Sequence, residues 1–275
     1  MTIGVDLAAT TICAGIVEGG VIYRKIIDDF PHDKPENDGV NKLISIIERL
    51  MNSNIKGIGI SVPSVVDATQ GIVYNSVINL PTWKKVHLKA ILENRFGITV
   101  NVNNDCNCLA FAERYYGEGT PYRNIVVLKL ATGLGSGIII NDVLYNGWNT
   151  GAGEVGCLPY LDKNFEEYCA SNFFRKYNTT GYIAYTRAEK GDKEALQMWE
   201  EFGTHIGNLL KIVLFTYDPQ AIILGGETCI GYPYFYKKMH EQLSTFPYIE
   251  TLKRIEILIS KKEDIGLLGA AALIP

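Results

Sequence analysis

The order of elements legible in the sequence predicts an α/β protein of two similar lobes around a cleft. Three strands followed by alternating helix and strand occur once from the N-terminus and again from residue 125. No stretch rich in Pro or Ser separates the two runs. The scale agrees: 275 residues, 47% hydrophobic and 20% charged, suffice for two ordinary domains with sizeable cores.

Each element has its own signal. Apolar runs at residues 3–6, 13–17 and 21–26, with Gly19-Gly20 between the last two, predict a meander of three strands. Helical spacing of apolar residues predicts a helix over 38–51, followed by a strand over 57–62, a helix over 84–96 and a strand over 98–102. The second run begins with strands at 125–130, 135–140 and 143–145, the last two joined by Asn141-Asp142, a pair suited to a hairpin turn. A Gly-rich insertion follows. Residues 193–217 then place Leu196, Trp199, Ile206, Leu210 and Val213 near one helix face, and Asp218-Pro219 stops that helix. A strand at 221–224, a helix at 234–243 and a strand at 255–259 complete the run.

Composition excludes several function classes. A net charge of −4 with scattered Lys and Arg leaves no basic footprint for nucleic acid or an anionic membrane. The chain opens on a strand and has no long apolar run, so neither a signal peptide nor a membrane span is expected, and a cytoplasmic location follows. In that reducing compartment the six cysteines are expected as free thiols, and Cys106-x-Cys108 is too close for a zinc pair.

Five stretches carry chemistry. Asp6-Leu7-Ala8-Ala9-Thr10 sits between two strands, where small residues let backbone amides and the Thr10 hydroxyl approach a phosphate. Asp6 is a candidate to hold Mg2+ through water, or simply ends its strand in a turn. In the matching place of the second run, Thr132-Gly133-Leu134-Gly135-Ser136-Gly137 alternates glycines that would weaken a hairpin unless a ligand, such as a polyphosphate, needs close backbone approach. Asn104-Asp105-Cys106-Asn107 follows a strand and precedes a helical stretch, so Asp105 suits equally a helix N-cap and a general base. Glu154 and Glu166 in the insertion are solvated glutamates or acceptors for sugar hydroxyls. Gly225-Gly226 after a strand is a structural turn or one with room for a nucleotide.

Taken in order, these stretches resemble the ROK family of sugar kinases and repressors over nearly the whole chain. Asp6-Leu7-Ala8-Ala9-Thr10 is similar to its D-x-G-G-T phosphate loop, and Gly59-Ile60-Ser61-Val62-Pro63-Ser64 to its G-x-x-x-P-G turn. Asn79-Leu80-Pro81-Thr82-Trp83 matches N-L-x-x-W, and Asn104-Asp105-Cys106-Asn107 matches the N-D-x-N that carries the catalytic Asp. Thr132 to Gly137 resembles the second phosphate loop, Gly153-Glu154-Val155-Gly156 the A-G-E-x-G of the sugar site, and Glu166 with Tyr168 the L-E-x-Y pair. Leu224-Gly225-Gly226 is similar to the adenosine turn, and Gly269-Ala270-Ala271 to the C-terminal G-A-A.

The resemblance implies an actin-like ATPase (ribonuclease H-like) fold, with one lobe over residues 1–108 joined by a C-terminal helix over 263–275, and the other over 109–262. It implies ATP-dependent phosphorylation of a hexose, commonly glucose at the 6-hydroxyl, or of an N-acetylhexosamine. Asp105 would be the base. Ser64, Asn79, Asn104, Asp105, Glu154, Cys157 and Glu166 would line the sugar, and Asp6, Ala8, Ala9, Thr10, Thr132, Gly133, Leu134, Gly135, Gly225 and Gly226 the ATP. Family members are often dimers, so a homodimer is an implied assembly.

The chain departs from the pattern in four places. Ala8 and Ala9 replace paired glycines, so this loop is expected to run at negative φ. Ser64 replaces a Gly beside the sugar. Cys157 replaces a His that in many members touches the sugar and ligates zinc, and the Cys-rich segment expected before Glu166 is missing, so no zinc is expected. No helix-turn-helix precedes the first strand, which makes a DNA-binding repressor the weaker expectation. A sugar-binding or regulatory protein with weak or lost kinase activity is the alternative to an active kinase.

Overall fold

The first 29 residues form an antiparallel meander, β1 (Thr2–Leu7) and β2 (Thr11–Glu18), largely buried, and β3 (Val21–Asp29), which has no fully buried residue. The computed structural model describes residues 1–76 and 79–275. It divides into two compact units, described one at a time: Met1–Thr120 with Leu144–Ala152 and Lys262–Pro275, and Pro121–Val143 with Gly153–Lys261. The sequence reading divides the lobes at residue 108; the helix that spans this position belongs to the first unit.

In the first unit, helix α1 (Glu36–Leu50) buries Val40, Leu43, Ile46, Ile47 and Leu50, a helical spacing. Strand β4 (Gly57–Val62) is buried at every residue, as a parallel strand covered on both faces must be. A small antiparallel sheet follows, β5 (Val66–Asp67), β6 (Ile72–Ser76) and β7 (Leu80–Val86). The helix read from residue 84 therefore starts later, as α2 (Leu88–Phe96), closed by Gly97 in the left-handed region. The misreading has a physical cause: Leu80, Trp83 and Val86 are buried at a spacing of three, which imitates a helix in a strand whose pairing with β6 is irregular between Tyr74 and Ser76. Strand β8 (Thr99–Asn104) and helix α3 (Asp105–Tyr116) come next, and the main sheet has the order β3-β2-β1-β4-β8.

The second unit repeats this plan. Strands β9 (Ile125–Leu130), β10 (Leu134–Ile140) and β11 (Val143–Leu144) form its meander, with Asn141 and Asp142 both at positive φ in the tight turn. The insertion holds a 3-10 turn (Val155–Cys157), the hairpin β12 (Pro159–Tyr160) and β13 (Lys163–Asn164), and helix α4 (Phe165–Cys169). Helices α5 (Gly181–Glu189) and α6 (Lys193–Tyr217) follow, the latter capped by the Asp192 carboxylate and ended by Asp218. Strand β14 (Ala221–Gly225), helices α7 (Tyr232–Leu243) and α8 (Ile249–Leu252) and strand β15 (Glu256–Ile259) complete it. The sheet order β11-β10-β9-β14-β15 reproduces that of the first unit.

Helix α9 (Ile265–Ala272) returns to the first unit and packs on α3, β1 and β4. Its approach to β4 is so close that a Cβ on Gly59 would overlap the Ala270 carbonyl, which explains a glycine inside a buried strand. Among the described residues no helix is long and apolar enough to cross a membrane.

Candidate active site

Parallel pairing brings three strand ends of the first unit to one edge of its sheet. Asp6 lies opposite Ser61, and Val62 opposite Asn104. The carboxyl ends of parallel strands are where ligands bind in open α/β sheets, because loops and helix N-termini converge there. At this edge Ser61 Oγ donates to Asp6 Oδ1 at 2.8 Å.

Asn104, not Asp105, is the N-cap residue of α3: its Oδ1 accepts from the Cys106 and Asn107 amides at 2.9 and 3.4 Å. Asp105 is the first residue of the helix, half-buried, with Oδ1 accepting from the Cys106 amide at 2.9 Å. Asn104 Nδ2 donates to the Ser64 carbonyl at 3.1 Å, and Asn79 Nδ2 to the Pro63 carbonyl at 3.2 Å. Ser64 is buried and donates through Oγ to the Tyr74 carbonyl at 2.6 Å. Asn79 and Asn104 thus hold the Pro63-Ser64 turn after β4, and Asp105 follows Asn104 with a bond to the same Cys106 amide.

The turn from Asp6 to Thr11 is closed by the Ala8 amide donating to the Thr11 carbonyl at 2.9 Å, and the Thr10 carbonyl accepts from the Phe30 amide. Neither Ala8 nor Ala9 is at positive φ, so the loop keeps a tight shape without the glycines of the family pattern. One carboxylate at a strand end suits Mg2+, which retains water and takes few protein ligands.

In the second unit, the loop between β9 and β10 carries Thr132 and Gly133, and Leu134 and Gly135 open β10. Glu166 Oε2 accepts from the Leu134 amide at 3.0 Å, so this carboxylate braces the loop itself. Ser171 donates to the Ala131 carbonyl through both its amide and Oγ, each at 2.9 Å. Strand β14 runs beside β9 with Gly225 opposite Lys129, bringing the Gly225-Gly226 turn next to the loop. Gly226 has φ +97, and a Cβ there would overlap the Leu130 carbonyl, so only glycine lets the turn come this close.

The Gly153-Glu154-Val155-Gly156 stretch is tied to β10 by Ser136 Oγ donating to the Gly153 carbonyl at 2.8 Å. Glu154 and Cys157 are exposed beside Glu166. Partial burial, then the Glu154 and Glu166 carboxylates, push the Cys157 thiol above its usual range. Among the described residues no three His, Cys, Asp or Glu side chains converge as a metal ligand set.

Several residues that support these groups, Asn107 of the N-D-x-N match apart, carry no sequence signal of their own. Ser61 and Ser171 are ordinary serines until pairing brings them to Asp6 and Ala131. Asn103, Asn107 and Asn146 form a cluster of amides: Asn107 Nδ2 donates to Asn103 Oδ1 at 3.0 Å and to Asn146 Oδ1 at 3.1 Å. Asn103 Nδ2 also donates to Asn146 Oδ1, at 3.1 Å, which pins the loop after β11 to the first turn of α3.

Comparison with known proteins places this geometry in a family. The chain is 28% identical over 287 residues to a xylose repressor of Bacillus spizizenii, spanning 94% of this chain and 72% of the repressor. It is 26% identical over 306 residues to a glucokinase of Thermotoga maritima, spanning 99% and 96%. Its structure superimposes on a putative sugar kinase from Cytophaga hutchinsonii with a TM-score of 0.88 at 25% identity, over 100% of this chain and 99% of that one. The fold is that of the actin-like ATPases. The ROK family model matches residues 2–275, and the chain is a member of the ROK family.

Proposed function

We propose that this protein is an ATP-dependent hexose kinase, with glucose 6-hydroxyl as the reference acceptor. The observation that carries this reading is the arrangement at the start of α3. Asn104 is the N-cap residue, and Asp105, the first residue of the helix, follows it where β1, β4 and β8 end. In the proposed reaction Asp105 accepts the proton of the attacking hydroxyl as its oxygen bonds to the γ-phosphorus, and the bond from that phosphorus to the β-phosphate oxygen breaks to release ADP. Ser64, Asn79 and Asn104 orient the sugar, and Glu154, Cys157 and Glu166 accept or shape contacts with its hydroxyls. The amides of the Thr132 to Gly135 loop and of the Ala8 to Thr10 turn hold phosphates, and Gly225-Gly226 leaves room for the nucleoside. Mg2+, held through Asp6, would neutralise phosphate charge. No nucleic acid or membrane takes part.

The match to xylose repressors favours a second reading, a sugar-responsive regulator with weak or lost transfer. ADP release measured over a panel of hexoses and N-acetylhexosamines separates the two. The kinase reading expects turnover of at least one sugar. The regulator reading expects sugar binding, seen as a rise in melting temperature, with no ADP formed.

A further inference from the structure

The insertion between Cys157 and Glu166 is where the family pattern has a zinc segment, and the donors here do not fit that metal. Cys157 is an exposed thiol pushed toward its protonated form, Cys169 is fully buried with its thiol raised well above the usual range, and neither belongs to a converging ligand set among the described residues. The arm that carries Glu166 is fastened by other means. We propose that Tyr160 is the positioning residue for this arm, transmitting the fixed geometry of α6 and α7 through Phe165 to Glu166 and so to the Leu134 amide of the phosphate loop.

The path is continuous within the second unit. Gln242 Nε2 on α7 donates to Asn208 Oδ1 on α6 at 2.6 Å, and Asn208 Nδ2 donates to the Tyr160 hydroxyl at 2.8 Å. That hydroxyl also meets His205 Nδ1 at 3.0 Å. Asn208 supplies one proton to the oxygen, and with a neutral imidazole unprotonated at Nδ1 the hydroxyl donates its own to that nitrogen. Burial favours that form, holding His205 below its ordinary value, and Nε2 faces Glu201 Oε1 at 3.5 Å. The Tyr160 ring stacks on Phe165 with centroids 4.2 Å apart and planes 14° from parallel. Phe165 donates its amide to the Leu158 carbonyl at 3.1 Å, closing the hairpin, and the next residue is Glu166, bonded to Leu134.

Tyr160 thus has two attachments with different roles: the ring holds Phe165, and the hydroxyl sets the ring's position against two helices. Side-chain networks of this kind restrict the positions of the groups they join. The kinetic consequence rests on the kinase reading above; the structural one does not.

Tyr160→Phe keeps the stack and removes the hydroxyl. Hydrogen exchange at the Leu134 amide should then speed up by about five-fold or more, since the brace on it is loosened. With a turned-over hexose, kcat/KM should fall roughly ten-fold, and in a Glu166→Gln background the same change should cost less than about two-fold, because residues that act through one another are not additive. Additive penalties, or Leu134 exchange equal to that of the unaltered protein, would overturn the proposal. So would one tightly held zinc per chain that is lost in Cys157→Ser. If no hexose is turned over, the kinase reading fails by itself while the exchange measurement still decides the role of Tyr160. Should Tyr160→Phe not fold, Gln242→Ala, further along the path, is expected to speed Leu134 exchange in the same direction, and unchanged exchange there overturns the proposal as well.

Discussion

A carboxylate on the first turn of a helix has two uses, stabilising the helix N-terminus and chemistry, and at position 105 a substitution can separate them. The cap of α3 is Asn104, whose Oδ1 takes the Cys106 and Asn107 amides. Asp105→Asn should therefore change stability by less than about 0.5 kcal/mol, as expected of a substitution that breaks no core contact or cap. If Asp105 is the base, kcat should fall roughly 10²- to 10⁴-fold with KM for ATP little changed. Steady-state kinetics beside a melting curve checks both halves. A variant within a few-fold of the unaltered protein would refute the catalytic assignment. Residue identity alone showed that Asn104-Asp105 is a chemically apt pair, but not which member caps. Nor did it show that Ser61 touches Asp6, since nothing local distinguishes that serine from others.

At the scale of elements, the turn after β14 in the second unit depends on one backbone conformation. Gly226, at φ +97 and ψ 166, occupies a region essentially closed to other residues, and a Cβ would also overlap the Leu130 carbonyl. Gly226→Ala should cost about 1–3 kcal/mol and lower the melting temperature by several degrees. It should also raise KM for ATP by forcing β14 and β9 apart at the loop; an unchanged melting curve would show that the turn adapts freely. Helices α6 and α7 carry a separate pH signature. Burial lowers the pKa of His205 and His240 below the ordinary 6.5, so the unfolded chain binds protons more readily than the folded one. Stability should be flat above about pH 6.5 and decline as pH falls below it. Asp28, Asp192 and Glu201, whose pKa values are also lowered, lose their contribution only from their ordinary values of 3.8 and 4.5 downward. Urea midpoints between pH 7.5 and 5 check this, and a constant midpoint over that range would refute it. Both helices were legible from apolar spacing, with α7 starting two residues earlier than read. Strand β7 was not, because an irregular pairing partner gave its buried residues a helical period.

At the scale of the molecule, the duplicated sheet order was legible because each half repeats the same succession of strands and helices, a one-dimensional property. The return of the last helix to the first unit is not such a property: no local pattern shows it, and it was expected only from the family resemblance. Helix α9 lies on β1, β4 and α3, and buries Leu267, Leu268, Gly269, Ala270 and Ala271. Leu268 and Ala271 join Val17 and Ala112 in one apolar cluster. Two leucines at about 1.5–3 kcal/mol each amount to several kcal/mol, against a total near 5–15 kcal/mol for an ordinary domain. Removing α9 also uncovers the Gly4 and Gly59 faces of β1 and β4, which have no side chains of their own to fill the space. The first unit should therefore lie at or below its folding threshold without α9, whereas every strand of the second unit's main sheet precedes residue 262. A chain ending at residue 261 is expected to lose protease resistance across residues 1–120 and to keep it across residues 153–261. Limited proteolysis with mass mapping reads the two regions separately. Equal resistance in both would show that β1, β4 and α3 hold together without the C-terminal helix, and that its glycine-tight seat contributes little to the fold.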